Sequence, residues 1–196
     1  MNYPMNIKHL NILIICFFFL FVDSIFSQEK YQINIDVGYP SPDEKFFPVY
    51  KGVIAVNIGA SYRLTGNLFS GITFCHLDTK QKSPDMNARY YIMSLNIKYK
   101  QKLPFHFFVL PETGAGLAFI NLKSDQYNYN DTQNGINFYG KLAVGYPINK
   151  ICDILIYYRY DYIHLSKDKE FTKLEYFRNL HVANFGIGIN IKIKDK

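Results

Sequence analysis

Few residues of this chain carry reactive chemistry, and a set of eight ionisable ones falls on the polar face of the expected strands. The five histidines, His9, His76, His106, His164 and His181, are scattered. No His-x-His, His-Glu-x-x-His or Cys-x-x-Cys spacing occurs, so no metal site is defined and no cofactor is expected. No glycine-rich loop follows a strand and opens a helix, which removes the usual phosphate cradle. The basic residues lack the aromatic interleaving on one face that nucleic-acid binding uses. One base lies beside one nucleophile: in His164-Leu165-Ser166 both polar side chains fall on the same face of an extended segment. The larger set is ionic. Asp36, Glu112 and Asp161 share a strand face with Arg63, Lys98, Lys141, Arg159 and Lys192. Charges turned to one side survive burial only when paired and hydrogen-bonded, so the chemistry expected of this set is mutual neutralisation.

The elements that position these groups follow from composition and periodicity. The chain has 196 residues, 48% hydrophobic and 19% charged, with 17 Tyr, 17 Phe and no Trp. That is too apolar and too aromatic for a disordered chain. The mean hydropathy of −0.09 excludes a bundle of spanning helices. A net charge of +6 permits an anionic partner without naming one. Ile12–Val22 is an unbroken apolar run, shorter than the roughly 20 residues a spanning helix needs. With Lys8 before it and a polar exit at Asp23–Ser27, it fits a secretory signal peptide. Cleavage is expected between Ser27 and Gln28, giving a leader at 1–27 and one domain at 28–196. Cys75 and Cys152 remain after cleavage. They are expected at opposite ends of the molecule, as free thiols.

Beyond the leader, period two recurs and no window holds a helical period. Asn184–Ile193 sets Phe185, Ile187, Ile189, Ile191 and Ile193 against Asn184, Gly186, Gly188, Asn190 and Lys192. Tyr31–Tyr39 and Tyr91–Tyr99 alternate in the same way. Further segments are expected near 52–64, 68–78, 106–122, 136–147 and 153–165. The 68–78 segment alternates poorly, and Pro111 inside 106–122 implies a bulge or an edge. Short connections at Leu64–Asn67, Gln101–Pro104 and Asn149–Cys152 alternate with longer polar ones at Ser41–Lys51, Lys80–Asn87, Ser124–Thr132 and Ser166–Arg178. An all-β, eight-stranded antiparallel up-and-down barrel crossing a membrane has this layout.

A soluble ligand-binding barrel has the same strand count with its faces exchanged. Three features favour the membrane. The polar face is rich in Gly and small residues, which suit the crowded interior of eight strands. Tyr31, Tyr39, Tyr62, Tyr91, Tyr99, Tyr146 and Tyr162 gather at strand ends on the apolar face, as interfacial girdles do. The charges on the polar face compensate one another if turned inward. Outward, a Lys or Arg at the bilayer midplane would cost ~2–4 kcal/mol. The 36, 112, 141 and 159 positions are expected at similar mid-barrel height.

With this pattern the chain resembles the small OmpA/OmpX-like outer-membrane β-barrel family over nearly all of residues 28–196. Two stretches carry the likeness locally. Glu112-Thr113-Gly114-Ala115-Gly116-Leu117 is similar to the Gly-alternating fifth strand of that family. Asn184-x-Gly186-x-x-Ile189-x-Ile191 has the spacing of its C-terminal assembly signal, with an aliphatic residue in the last, usually aromatic, place. The resemblance covers the barrel only, with no peptidoglycan-binding domain expected after it. It implies an outer-membrane location in a Gram-negative bacterium, with lipid, lipopolysaccharide and the barrel-assembly machinery as partners. It also implies a packed polar interior and a structural or interaction role through the outer loops, where an extracellular ligand could bind. Two other roles stay open. Lipid A deacylases are barrels that look similar at His164 and Ser166, which would be general base and nucleophile, with Glu170 or Glu175 orienting the imidazole. A low-conductance pore for small solutes is the other.

Overall fold

The structure is a computed structural model that describes residues 29–42, 50–81, 86–124, 128–166 and 179–194. The expected leader, its cleavage point at Ser27 and Gln28, and residues 167–178 with Glu170 and Glu175 lie outside the described residues. Eight long strands account for almost all of the rest. They are β1 (Glu29–Pro42), β2 (Tyr50–Thr65), β3 (Leu68–Gln81), β4 (Met86–Tyr99), β6 (Phe108–Ser124), β7 (Tyr129–Pro147), β8 (Cys152–Leu165) and β9 (Asn179–Lys194). A two-residue β5 (Gln101–Lys102) and a 3₁₀ turn, η1 (Pro104–His106), lie between β4 and β6. Every long strand pairs antiparallel with its chain neighbour. β1 pairs with β9 and β4 with β6, so the sheet closes into a cylinder without a free edge.

The tight turns sit at one end. Gly66, with φ of 49°, takes the left-handed conformation that turns β2 into β3 and that residues with a Cβ adopt at a cost. Between β7 and β8, Asn149 Oδ1 accepts from the amides of Ile151 (2.8 Å) and Cys152 (2.7 Å), a side-chain substitute for the missing ladder. The β4–β6 connection is longer than expected. Gln101 and Lys102 still pair with Val109 and Phe108, and η1 makes the turn itself. Pro111 lies where pairing breaks: the ladder with β4 stops at Lys98–Glu112 and resumes as Gln101–Val109. A residue with no N–H fits that gap. Its other side pairs with Leu142 in an unbroken register.

The faces follow the membrane assignment. On β9, Ile187 is 63% exposed while Asn184 is fully buried. The same alternation runs around the cylinder. The inward residues are buried, but they are not polar throughout. On β8 the inward residues read Asp153, Leu155, Tyr157, Arg159, Asp161, Ile163 and Leu165, all buried. Charged and apolar layers therefore alternate along the axis. Toward the long connections the interior holds an apolar cluster including Cys75, Leu77, Tyr90, Ile92, Ile120, Ile163 and Leu180. A second cluster of Phe108, Leu110, Ala143, Leu155 and Tyr157 lies nearer the tight turns. Cys75 is buried inside and Cys152 opens β8; both are free thiols.

Candidate functional site

The inward face of the cylinder gathers a set of charged groups. Register places Lys98, Glu112, Lys141 and Arg159 directly opposite one another across β4, β6, β7 and β8. Two like charges, Lys141 and Arg159, thus stand side by side, which is unfavourable unless carboxylates reach them. Asp36 comes from across the interior and meets Lys141 at 2.5 Å. Asp161, two residues along β8, takes Arg159 in a two-pronged pair, Nε to Oδ2 at 2.8 Å and Nη2 to Oδ1 at 2.7 Å. The remaining guanidinium nitrogen, Nη1, donates to Asn57 Oδ1 at 3.2 Å. The guanidinium carbon lies 3.8 Å from the Tyr139 ring centre. Tyr139 in turn donates its hydroxyl to Glu112 at 2.5 Å. Lys98 donates to Asn34 Oδ1.

A second group lies toward the tight turns. Asp153 accepts from Lys192 at 2.6 Å, from Lys100 at 3.1 Å and from Asn190 at 3.0 Å. Lys100 also reaches Glu29 at 3.1 Å. Arg63 is half-buried, with its guanidinium over the Phe69 ring at 5.3 Å. Lys100, Asp153 and Glu29 are not singled out by sequence, although Lys100 shares the parity of Lys98, and Asp153 that of Arg159. Among the described residues the inward set is Lys98, Lys100, Lys141, Arg159, Lys192 and half-buried Arg63 against Asp36, Glu112, Asp153, Asp161 and half-buried Glu29.

The arrangement crosslinks walls that are far apart in sequence. Asp36 and Lys141 are 105 residues apart, and Arg159 and Asn57 are 102 apart. Most of its members pair with one another, and apolar clusters lie above and between the two groups. Among the described residues no group of three His, Cys, Asp or Glu could hold a metal.

The His-x-Ser pair lies outside the cylinder. His164 Nδ1 is 2.7 Å from Asn179 Oδ1, which also accepts from the Tyr162 hydroxyl at 2.9 Å. Ser166 is exposed, and its amide donates to Asn134 O at 2.9 Å. Among the described residues no hydrogen bond joins the Ser166 hydroxyl to His164. On β9, Asn184 and Gly186 point inward, Ile189 outward and Ile191 is half-buried, flanked by β1 and β8.

A family model described as the outer membrane protein beta-barrel domain matches residues 22–192. No protein of curated function matches the chain. Among solved structures the chain is similar to Neisserial surface protein A, at 16% identity and a TM-score of 0.62, covering 85% of this chain and 98% of that one. It is similar to Ail, the attachment invasion locus protein of Yersinia pestis, at 11% identity and a TM-score of 0.51, covering 85% and 100%. Ail also has a structure in complex with the heparin analogue sucrose octasulfate. A major outer membrane protein from Thermus thermophilus matches at 10% identity and a TM-score of 0.57, covering 83% and 99%. At these identities the likeness is one of fold.

Proposed function

Because the chain belongs to the outer membrane protein beta-barrel domain family, we propose that it is a closed, non-conducting cylinder of a Gram-negative outer membrane that anchors its long connections at the cell surface. The observation that carries this reading is the filled interior. Across the middle, Asp36, Lys141, Arg159 and Asp161 are ion-paired, and the apolar cluster around Leu77, Tyr90 and Ile163 closes the end nearer the long connections. An eight-stranded interior is just wide enough for side chains, and here the side chains occupy it. The exterior supports the same placement. Between Tyr91 and Tyr99 the outward residues of β4 are Met93, Leu95 and Ile97, with Leu95 69% exposed. That is a lipid-facing band bounded by aromatic residues.

Export through residues 1–27, assembly through the Asn184–Ile191 signal and contact with lipopolysaccharide belong to this reading. So does ligand contact at the long connections, Ser166–Arg178 above all. The Ail complex with a sulfated sugar is a case of a barrel with this fold binding a polyanion. The reading assigns no catalysis to His164 and Ser166. The decisive experiment reconstitutes the purified protein in planar bilayers after outer-membrane fractionation and a heat-modifiable gel shift. No discrete conductance steps are expected, and regular openings would overturn the reading.

A further inference from the structure

One inward ladder row crosses β1, β2, β3 and β4. Register sets Gln32 opposite Ser61, Ser61 opposite Gly71 and Gly71 opposite Asn96. Gln32, Ser61 and Asn96 are at most 6% exposed. Gly71 contributes no side chain, and a Cβ there would meet Ala60 O at 2.1 Å, so only backbone stands between Ser61 and Asn96 in the row.

Each of these three side chains keeps one buried oxygen without a hydrogen bond. Gln32 gives its amide nitrogen to Glu29 Oε2 at 2.9 Å, and Asn96 gives its own to Thr73 Oγ1 at 2.5 Å. Among the described residues, Gln32 Oε1, Asn96 Oδ1 and the Ser61 hydroxyl have no hydrogen-bond partner. A buried polar atom left so is destabilising, and three in one row call for one explanation. Two residues along β4 from Asn96, Lys98 is 2% exposed. Its ammonium has three N–H groups to place, and among the described residues its hydrogen bond is to Asn34 Oδ1.

We propose that this row is an internal water site, a small cluster hydrogen-bonded to Gln32 Oε1, Ser61 Oγ and Asn96 Oδ1 and accepting from the Lys98 ammonium. The donor set selects the ligand. A metal cation would sit against the lysine charge. An anion would face the lone pairs of two amide carbonyls. Water alone donates and accepts, and a buried water makes about three hydrogen bonds. The two carbonyls take its hydrogens, while the hydroxyl and the ammonium supply hydrogens to its lone pairs.

The test places the native barrel in lipid bilayers and follows magnetisation transferred from water to side chains by solid-state NMR. Asn149, exposed at a tight turn, is the wet reference, and Ile92 and Leu110, in the apolar clusters, are the dry ones. The amide protons of Gln32 and Asn96 should gain water signal at short mixing times, while the methyls of Ile92 and Leu110 should not. Ser61→Ala, checked for closure by the heat-modifiable gel shift, should lower that signal at both amides. It should also move the urea unfolding equilibrium in micelles toward the unfolded chain, on the order of tenfold. Dry amides at Gln32 and Asn96 in the native protein overturn the proposal, whether or not the variant closes. A closed Ser61→Ala barrel of equal or greater stability overturns it too, because deleting a hydroxyl that has no partner stabilises. Equal water signal at Ile92 and Leu110 means a flooded lumen with no selected site. That result overturns the proposal and the closed-cylinder reading together, whereas a dry interior leaves the closed cylinder standing.

Discussion

Asp36 and Lys141 show how single residues decide this interior. Each is buried and each is the other's counter-ion. Asp36→Ala leaves the buried ammonium without the carboxylate it meets and is expected to destabilise the barrel by about 3–5 kcal/mol, read from urea unfolding in micelles. The double variant Asp36→Leu with Lys141→Met removes both charges and is expected to recover most of that loss. Outside the cylinder the expectation is the opposite. Under the proposed function, which gives Ser166 no catalytic role, Ser166→Ala should leave the acylation pattern of lipid A unchanged by mass spectrometry. The parity of the charged residues is readable from sequence, because a strand alternates strictly. Which charge meets which is not. The Asp36–Lys141 contact crosses the lumen between β1 and β7, and depends on strand tilt and stagger that no local pattern encodes.

At the scale of elements, β9 and β3 mark the two extremes of legibility. β9 alternates cleanly because its lumen side is Asn, Gly and Lys while its lipid side is Ile and Phe. β3 alternates poorly because Phe69, Cys75 and Leu77 face the interior while Ile72 and Phe74 face lipid. Both faces are then apolar and the signal cancels. The apolar clusters escape sequence reading for the same reason, at Tyr90–Met93 and at Leu155–Tyr158. The lipid face of β9 supplies a sharp expectation. Ile187→Lys, mid-strand between Val37 and Ile156, should cost ~2–4 kcal/mol in lipid vesicles. At Asn190, whose side chain bonds within the interior polar group, loss should follow broken hydrogen bonds and not lipid exposure.

The whole molecule separates a cylinder that holds itself together from connections that need not. Among the described residues, the interior ion pairs are made by the long strands and by Lys100 beside the tight turn, so that network closes without the long segments. Replacing residues 167–178 by an Asn-Gly turn between Ser166 and Asn179 should leave the heat-modifiable gel shift intact. Under the proposed function it should abolish any surface contact that the segment makes. Closure itself has a consequence in time. The wall is completed by pairing the first strand with the last, so the final seam waits for residues near the chain's end. Until Ile187–Ile193 are delivered, β1 has one unpartnered side, a template for the wrong neighbour. Under the proposed function, that open side must be kept from other strands until β9 docks.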